Sequence, residues 1–428
     1  MNSERSPRQA DGDPSAEGGG LTRRVALGAL AIGAAGVAAA CSSGSGSKHS
    51  KPQGPVAQVN YTPAVGSEAV PVNGKVSVAV TQGTLNPDVR LTNAQGKVVA
   101  GELSPDHTTY TVSEPLGYGM QYTWSGSAVG TDMKTVPVQG TVTAFKPKNQ
   151  VNVVINIGDG QEVGIAAPLM LTFDSIVTNK AEVENALTLT TTPHAEGGWA
   201  WMPESDVSLL HWRSKEYLAP GTKISMAAKL YGVDHGGGFG AADMSTAYTI
   251  GRAQVVKADA ASHQIVVERD GSVLMTLPCS YGEGDVDRNV TRSGIHVVSE
   301  KYEDFYMSNP AAGYFNVHER WAVRISNNGE FIHANPQTVG VQGSQNVTNG
   351  CINLSLSNAQ QYFQTAVYGD PVEVTGTRID LSGKDGDIYD WTIDWPTWKS
   401  MSALNGQTYS ASSPSTVAPA AVGAGPAR

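Results

Sequence analysis

Residues 328–355 read NGEFIHANPQTVGVQGSQNVTNGCINLS, and the interpretation of the whole chain turns on this stretch. Phe331-Ile332-His333 is apolar enough for a strand. A polar Gly/Gln/Asn loop follows, and Thr348-Asn349-Gly350-Cys351-Ile352-Asn353 closes the stretch. A thiol attacks a carbonyl only as thiolate, so Cys351 needs a base or a cation beside it. His333, 18 residues earlier, is the candidate, because imidazole titrates near neutral pH. Gly350 lets the backbone turn tightly and admits a substrate carbonyl. This predicts that the N–H groups of Gly350 and Cys351 face a developing oxyanion, where losing one donor costs roughly 3–4 kcal/mol of barrier in serine hydrolases. By themselves a His and a Cys at this spacing specify little, since most cysteines are small buried hydrophobes.

Outward from this stretch, Ile295–Val298, Trp321–Ile325 and Pro371–Val374 read as strands. Ile265–Arg269 and Val273–Leu277 flank Asp270-Gly271-Ser272, a hairpin signal. Ser357–Tyr368 has helical spacing, with Ser357 as its N-cap. These elements define a β-rich domain at 251–378. A segment at 379–400 follows, whose Trp391, Trp395 and Trp398 are expected to pack back onto a domain. Residues 401–428 are rich in Ser, Ala, Pro and Gly and read as disordered. Upstream, short strands between turn signals predict two immunoglobulin-like β-sandwiches, at 73–147 and 150–250. Trp199, Trp201 and Trp212 read as core of the second, and residues 179–189 as a short helix. The loop Asp234-His235-Gly-Gly-Gly-Phe239-Gly240 lacks the Gly-Lys-Ser/Thr of a phosphate loop and reads as a close-packed turn. The expected fold class is mainly β.

Composition narrows the function. A formal net charge of −10 and no Lys/Arg cluster beyond the N-terminus set nucleic acid aside. The three cysteines, Cys41, Cys279 and Cys351, have no metal-ligand spacing and are too few for a disulfide scaffold. Either Cys279 is inert and Cys351 reactive, or the two form a disulfide that silences Cys351. No metal or organic cofactor is called for. At the N-terminus, Arg23-Arg24 precede a 16-residue apolar run, Val25–Ala40, too short for a membrane span and suited to a signal peptide at 1–40. Ala38-Ala39-Ala40-Cys41 resembles a bacterial lipobox, in which the cysteine thiol carries diacylglycerol. Cys41 and a Ser/Gly-rich linker, 41–72, would then tether the chain to the outer face of the cell membrane. The paired arginines also partly match a twin-arginine export signal.

The His333 to Asn353 pattern resembles the signature of L,D-transpeptidases of the YkuD type: His, about 14–17 residues, Ser/Thr-His-Gly-Cys, an apolar residue, then Asn. The layout of leader, two immunoglobulin-like domains, catalytic domain and Trp-rich segment is similar to the mycobacterial enzymes of the lipoprotein subtype. The likeness runs from about residue 75 to 400, through Tyr231-Gly-Val-Asp234, Gly313-Tyr314, Trp321 and Ser357-Asn-Ala-Gln360. It implies that Cys351 attacks the carbonyl of a diaminopimelate in a donor tetrapeptide stem and releases D-Ala. It also implies that His333 is the base, oriented by the backbone carbonyl of Ala334. Thr348, Tyr314, Asn328, Gly329 and Asn353 would contact donor peptide or organise the pocket. An acceptor stem amine would resolve the acyl-enzyme into a 3→3 peptidoglycan cross-link, and β-lactams of the carbapenem class would acylate the same sulfur. Asn349 stands where the family pattern has His, and Asn carries no proton charge.

Two other classes order the residues differently. A sortase resemblance would need Thr-Leu-x-Thr-Cys and a nearby Arg, but Arg378 is distant in sequence. Wall endopeptidases of the NlpC type place Cys before His. The remaining alternative is a decayed, lipid-anchored wall-binding protein, with Asn349 as its trace. His296 and His318 read as core or surface residues, and His107, His194, His211, His235 and His263 as structural.

Overall fold

The computed structural model describes residues 56–203, 206–386 and 388–404. The expected signal peptide, Cys41 and residues 405–428 of the expected disordered tail lie outside the described residues.

Two β-sandwiches come first. Gln121–Ser125 shows why: its exposed and buried residues alternate, and Tyr122 and Trp124 point inward. They meet Val78, Leu91 and Val142 in one core. The first strand, Gln58–Thr62, lies inside the segment expected to be linker and pairs antiparallel with Ser77–Thr81. The linker reading is corrected there: Gln-Val-Asn-Tyr-Thr is half polar because it forms a partly exposed edge. The second sandwich buries Leu169, Phe173, Trp199, Trp201, Leu210 and Trp212. The Tyr118 and Tyr231 rings, 4.7 Å apart, join the two sandwiches, and the Tyr231 hydroxyl donates to the Leu116 carbonyl at 2.7 Å.

The third domain holds the His333–Cys351 stretch. Its first sheet contains β1 (Gln254–Asp259), β2 (Gln264–Arg269), β3 (Ser272–Pro278), β4 (Gly294–Val297) and β9 (Pro371–Thr375), ordered β3-β2-β1-β9-β4. Asp270 and Gly271 both take positive φ, as the β2–β3 turn requires. The second sheet runs β5 (Glu300–Asn309), β6 (Tyr314–Arg324), β7 (Phe331–Ala334), β8 (Ile352–Leu354), with β7 and β8 parallel. Helix α1 (Leu356–Thr365) buries Ala359 and Tyr362 on one face. Val256, Ile265, Val323, Ile332, Ile352, Tyr362 and Val372 form the core. Ser355, not Ser357, caps α1: its backbone is extended and its hydroxyl accepts the Asn358 N–H at 3.2 Å.

The Trp-rich segment packs back as expected. Trp398 is buried against Ala200, Met202 and Leu209, and its Nε1 donates to the Gly198 carbonyl at 2.9 Å. The Arg213 guanidinium lies 4.8, 5.2 and 4.6 Å from the ring centroids of Trp391, Trp395 and Trp398. Among the described residues, no helix is long and apolar enough to cross a membrane.

Candidate active site

β7 is buried along its whole length between β6 and β8, so its side chains are held by both neighbours. His333 is only 3% exposed. Its Nδ1 lies 2.9 Å from the Ala334 carbonyl oxygen, which assigns the proton to Nδ1 and leaves Nε2 for another partner. The Cys351 side chain lines the same cleft as the imidazole and acts on its protonation. Nδ1 also lies 3.2 Å from Oε2 of Glu319 on β6. Burial works against the imidazolium. The neighbouring Cys351 and Glu319 side chains, with the charges of both, outweigh it and raise His333 to about 10.

Cys351 sits half-buried immediately before β8, and its Sγ–H donates to the Gly329 carbonyl at 3.5 Å. Cys279 is a separate free thiol, fully buried and pushed up to about 12 by that burial. The disulfide alternative is thereby excluded. The turn before Cys351 is braced by threonines. Thr348 Oγ1 donates to the Cys351 carbonyl at 2.6 Å, and Thr291 Oγ1 donates to the Gly350 carbonyl at 2.8 Å. The Gly350 N–H donates to Thr348 Oγ1 at 3.2 Å. This corrects the expectation that both backbone N–H groups face an oxyanion: Gly350 is committed to the turn, and Cys351 N–H is the donor left.

Gly350 itself has φ +116°, a region essentially closed to side chains. A Cβ there would meet only the Arg288 and Val290 carbonyls, at 3.5 and 3.7 Å, so the constraint is conformational rather than steric. Gly350→Ala is therefore expected to cost about 1–3 kcal/mol. It should also slow acylation of Cys351 more than about tenfold, because a misplacement near 1 Å is enough. Thermal melting and acylation kinetics on the same sample check both effects.

Two clefts open on either side of the sulfur. One, of about 380 Å³, is lined by Arg288, Phe305, Arg324, Asn328 and Gly329. The other, of about 320 Å³, is lined by Glu319, His333, Asn335, Thr348 and Asn353. Met307, Tyr314, Asn349 and Cys351 line both. Burial raises the Tyr314 hydroxyl, and the charge of Cys351 adds to this. Asn349 is exposed at the mouth, and Asn353 is buried on β8. Tyr314, Asn328, Gly329, His333, Thr348, Asn349 and Asn353 thus line the clefts that meet at Cys351. His296 and His318 do not: His296 is buried between the carbonyls of Ile325 and Arg292, and exposed His318 pairs with Asp304 at 2.7 Å. Sequence reasoning missed Glu319, Thr291 and Arg288. No spacing marks them, because each arrives through the third dimension.

Residues 253–374 match the L,D-transpeptidase catalytic domain family, and residues 67–234 match a bacterial Ig domain family that runs across both sandwiches. L,D-transpeptidase 5 of Mycobacterium tuberculosis (strain ATCC 25618 / H37Rv) is 56% identical over 390 residues, covering 90% of this chain and 86% of its own length. L,D-transpeptidase 2 of Mycobacterium tuberculosis (strain CDC 1551 / Oshkosh) is 34% identical over 347 residues, covering 79% of this chain and 83% of its own length. A solved structure of the LD transpeptidase LdtMt1 in complex with imipenem is 28% identical and covers 53% of this chain and 100% of that one, with a TM-score of 0.45.

Proposed function

The chain belongs to the L,D-transpeptidase family, and from that premise we propose that it makes 3→3 peptidoglycan cross-links through a thioester on Cys351. The observation that carries this reading is one sulfur shared by a buried imidazole and two clefts. Cys351 Sγ attacks the diaminopimelate carbonyl of the donor stem. His333 takes the thiol proton and returns it to the departing D-Ala amine, so the amide breaks as the thioester forms. The Cys351 N–H faces the oxyanion formed in this step. The acceptor's side-chain amine then attacks the thioester and His333 accepts its proton. A new amide forms and the thiol returns.

Charge suggests how the substrates divide. Arg288 and Arg324 suit the carboxylates of the donor, while Glu319 and His333 suit an incoming amine. Tyr314 and Asn349, common to both clefts, would contact either stem. Carbapenems are proposed to open on the same sulfur, since their lactam carbonyl presents the same electrophile. Cys41 is proposed to carry the lipid that holds the enzyme at the outer face of the membrane, its substrate's side.

Incubation with a disaccharide-tetrapeptide tests the reading. Released D-Ala and a dimer whose mass fits a diaminopimelate-to-diaminopimelate amide are expected. Retention of the protein on sedimented peptidoglycan without D-Ala release would instead support a wall-binding module.

A further inference from the structure

The strand pairing around His333 is irregular in an informative way. Arg320 of β6 pairs with Ala334 of β7, and Val323 pairs with Ile332. Two β6 residues, Trp321 and Ala322, therefore stand opposite the single residue His333. Trp321 takes φ +54° to accommodate this. A bulge of this kind increases local twist and re-aims neighbouring side chains. Arg320, on one side of β6, turns out toward Asp304 at 3.2 Å. Glu319 turns the other way, into the cleft, and its carboxylate comes 3.2 Å from His333 Nδ1 with 14% of the side chain exposed.

We propose that Glu319 is a positioning residue for His333, completing a Cys351–His333–Glu319 arrangement that the bulge at Trp321 assembles. The inference rests on the Cys351–His333 reading above. The Ala334 carbonyl and Glu319 divide the work. A neutral carbonyl at 2.9 Å is enough to fix the proton on Nδ1. It does little to favour a charged ring buried in a sheet. A carboxylate beside Nδ1 does, and the imidazolium is the form that stabilises a thiolate and protonates the departing amine. The titratable groups facing His333 are Glu319 from β6 and Cys351 from the turn before β8. Tyr314, at the start of β6, lies within the field of both. The other cleft-lining neighbours, Asn335 and Asn353, are uncharged. Among the described residues facing the ring, Glu319 is the carboxylate.

Glu319→Gln keeps a hydrogen-bond acceptor and removes the charge, so it isolates that role. Loss of an anion beside an imidazole lowers the imidazole pKa. The alkaline limb of kcat/KM for D-Ala release is therefore expected to move down by about one pH unit or more. Above the shifted limb, the rate should fall about tenfold per unit. Glu319→Asp, which retains the charge, should restore part of the limb. Nitrogen-15 NMR titration of the His333 ring in the full chain, assigned with a His333→Gln sample, reads the same shift without any turnover. It should also show the Nδ1–H tautomer unchanged in Glu319→Gln. A uniform rate loss with limb and ring titration both unmoved overturns the proposal and leaves Glu319 a structural contact. A wild-type chain that releases no D-Ala refutes the catalytic reading instead, and the ring titration still decides Glu319.

Discussion

Replacing Cys351 with alanine is expected to eliminate D-Ala release, with a loss on the order of 10⁶-fold, the scale seen when a nucleophile is removed from a hydrolase. Among the described residues, no second thiol lines the clefts. Cys279 is fully buried in the domain core, and its thiol is pushed up to about 12, so it is neither ionised nor reachable. The fold should tolerate the change. Cys351 is only half-buried, and its Sγ contributes one long hydrogen bond to the Gly329 carbonyl, at 3.5 Å. Thermal melting should shift by no more than a few degrees. A variant that stays folded and still releases D-Ala at the wild-type rate would remove Cys351 from the mechanism.

The second large effect concerns the base. His333→Gln is expected to lower kcat/KM by about 10²–10⁴-fold, the range for loss of positioned proton transfer. The loss should be smaller than for Cys351→Ala, because a solvent-ionised thiolate still reacts slowly. Its pH dependence should change in kind. In the wild-type chain His333, raised to about 10, keeps a positive charge beside the sulfur through the neutral range. In the variant, rate should follow free thiol ionisation and rise steadily with pH. Equal rates for wild type and His333→Gln at pH 7 would show that the proton goes elsewhere.

Much of this architecture was legible in the linear chain, and the exceptions have physical causes. Gly350 and Cys351 announce a tight turn carrying a thiol, and the apolar Phe331-Ile332 run announces a strand that would bury the adjacent His333. The Asp270-Gly271 turn was equally plain. The two clefts were not. They depend on the β5–β6 hairpin, where Glu300–Asn309 mixes exposed and part-buried residues with no period of two and buries only Met307. Glu319 was hidden for a related reason: its direction is set by the bulge at Trp321, and a bulge adds a residue without a sequence mark. Ser355 and Ser357 are both good caps by type. Only the extended backbone at Ser355 distinguishes them. The strand at Gln58 was obscured because a solvated edge has the composition of a linker.

The central claim is that Cys351 is the acylated atom and His333 drives its acylation. Peptide-resolved mass spectrometry after brief exposure to a carbapenem tests this most directly. One covalent adduct is expected, confined to the peptide containing Cys351, absent in Cys351→Ala and slow to form in His333→Gln. An adduct on another residue, or one that persists in Cys351→Ala, would contradict it.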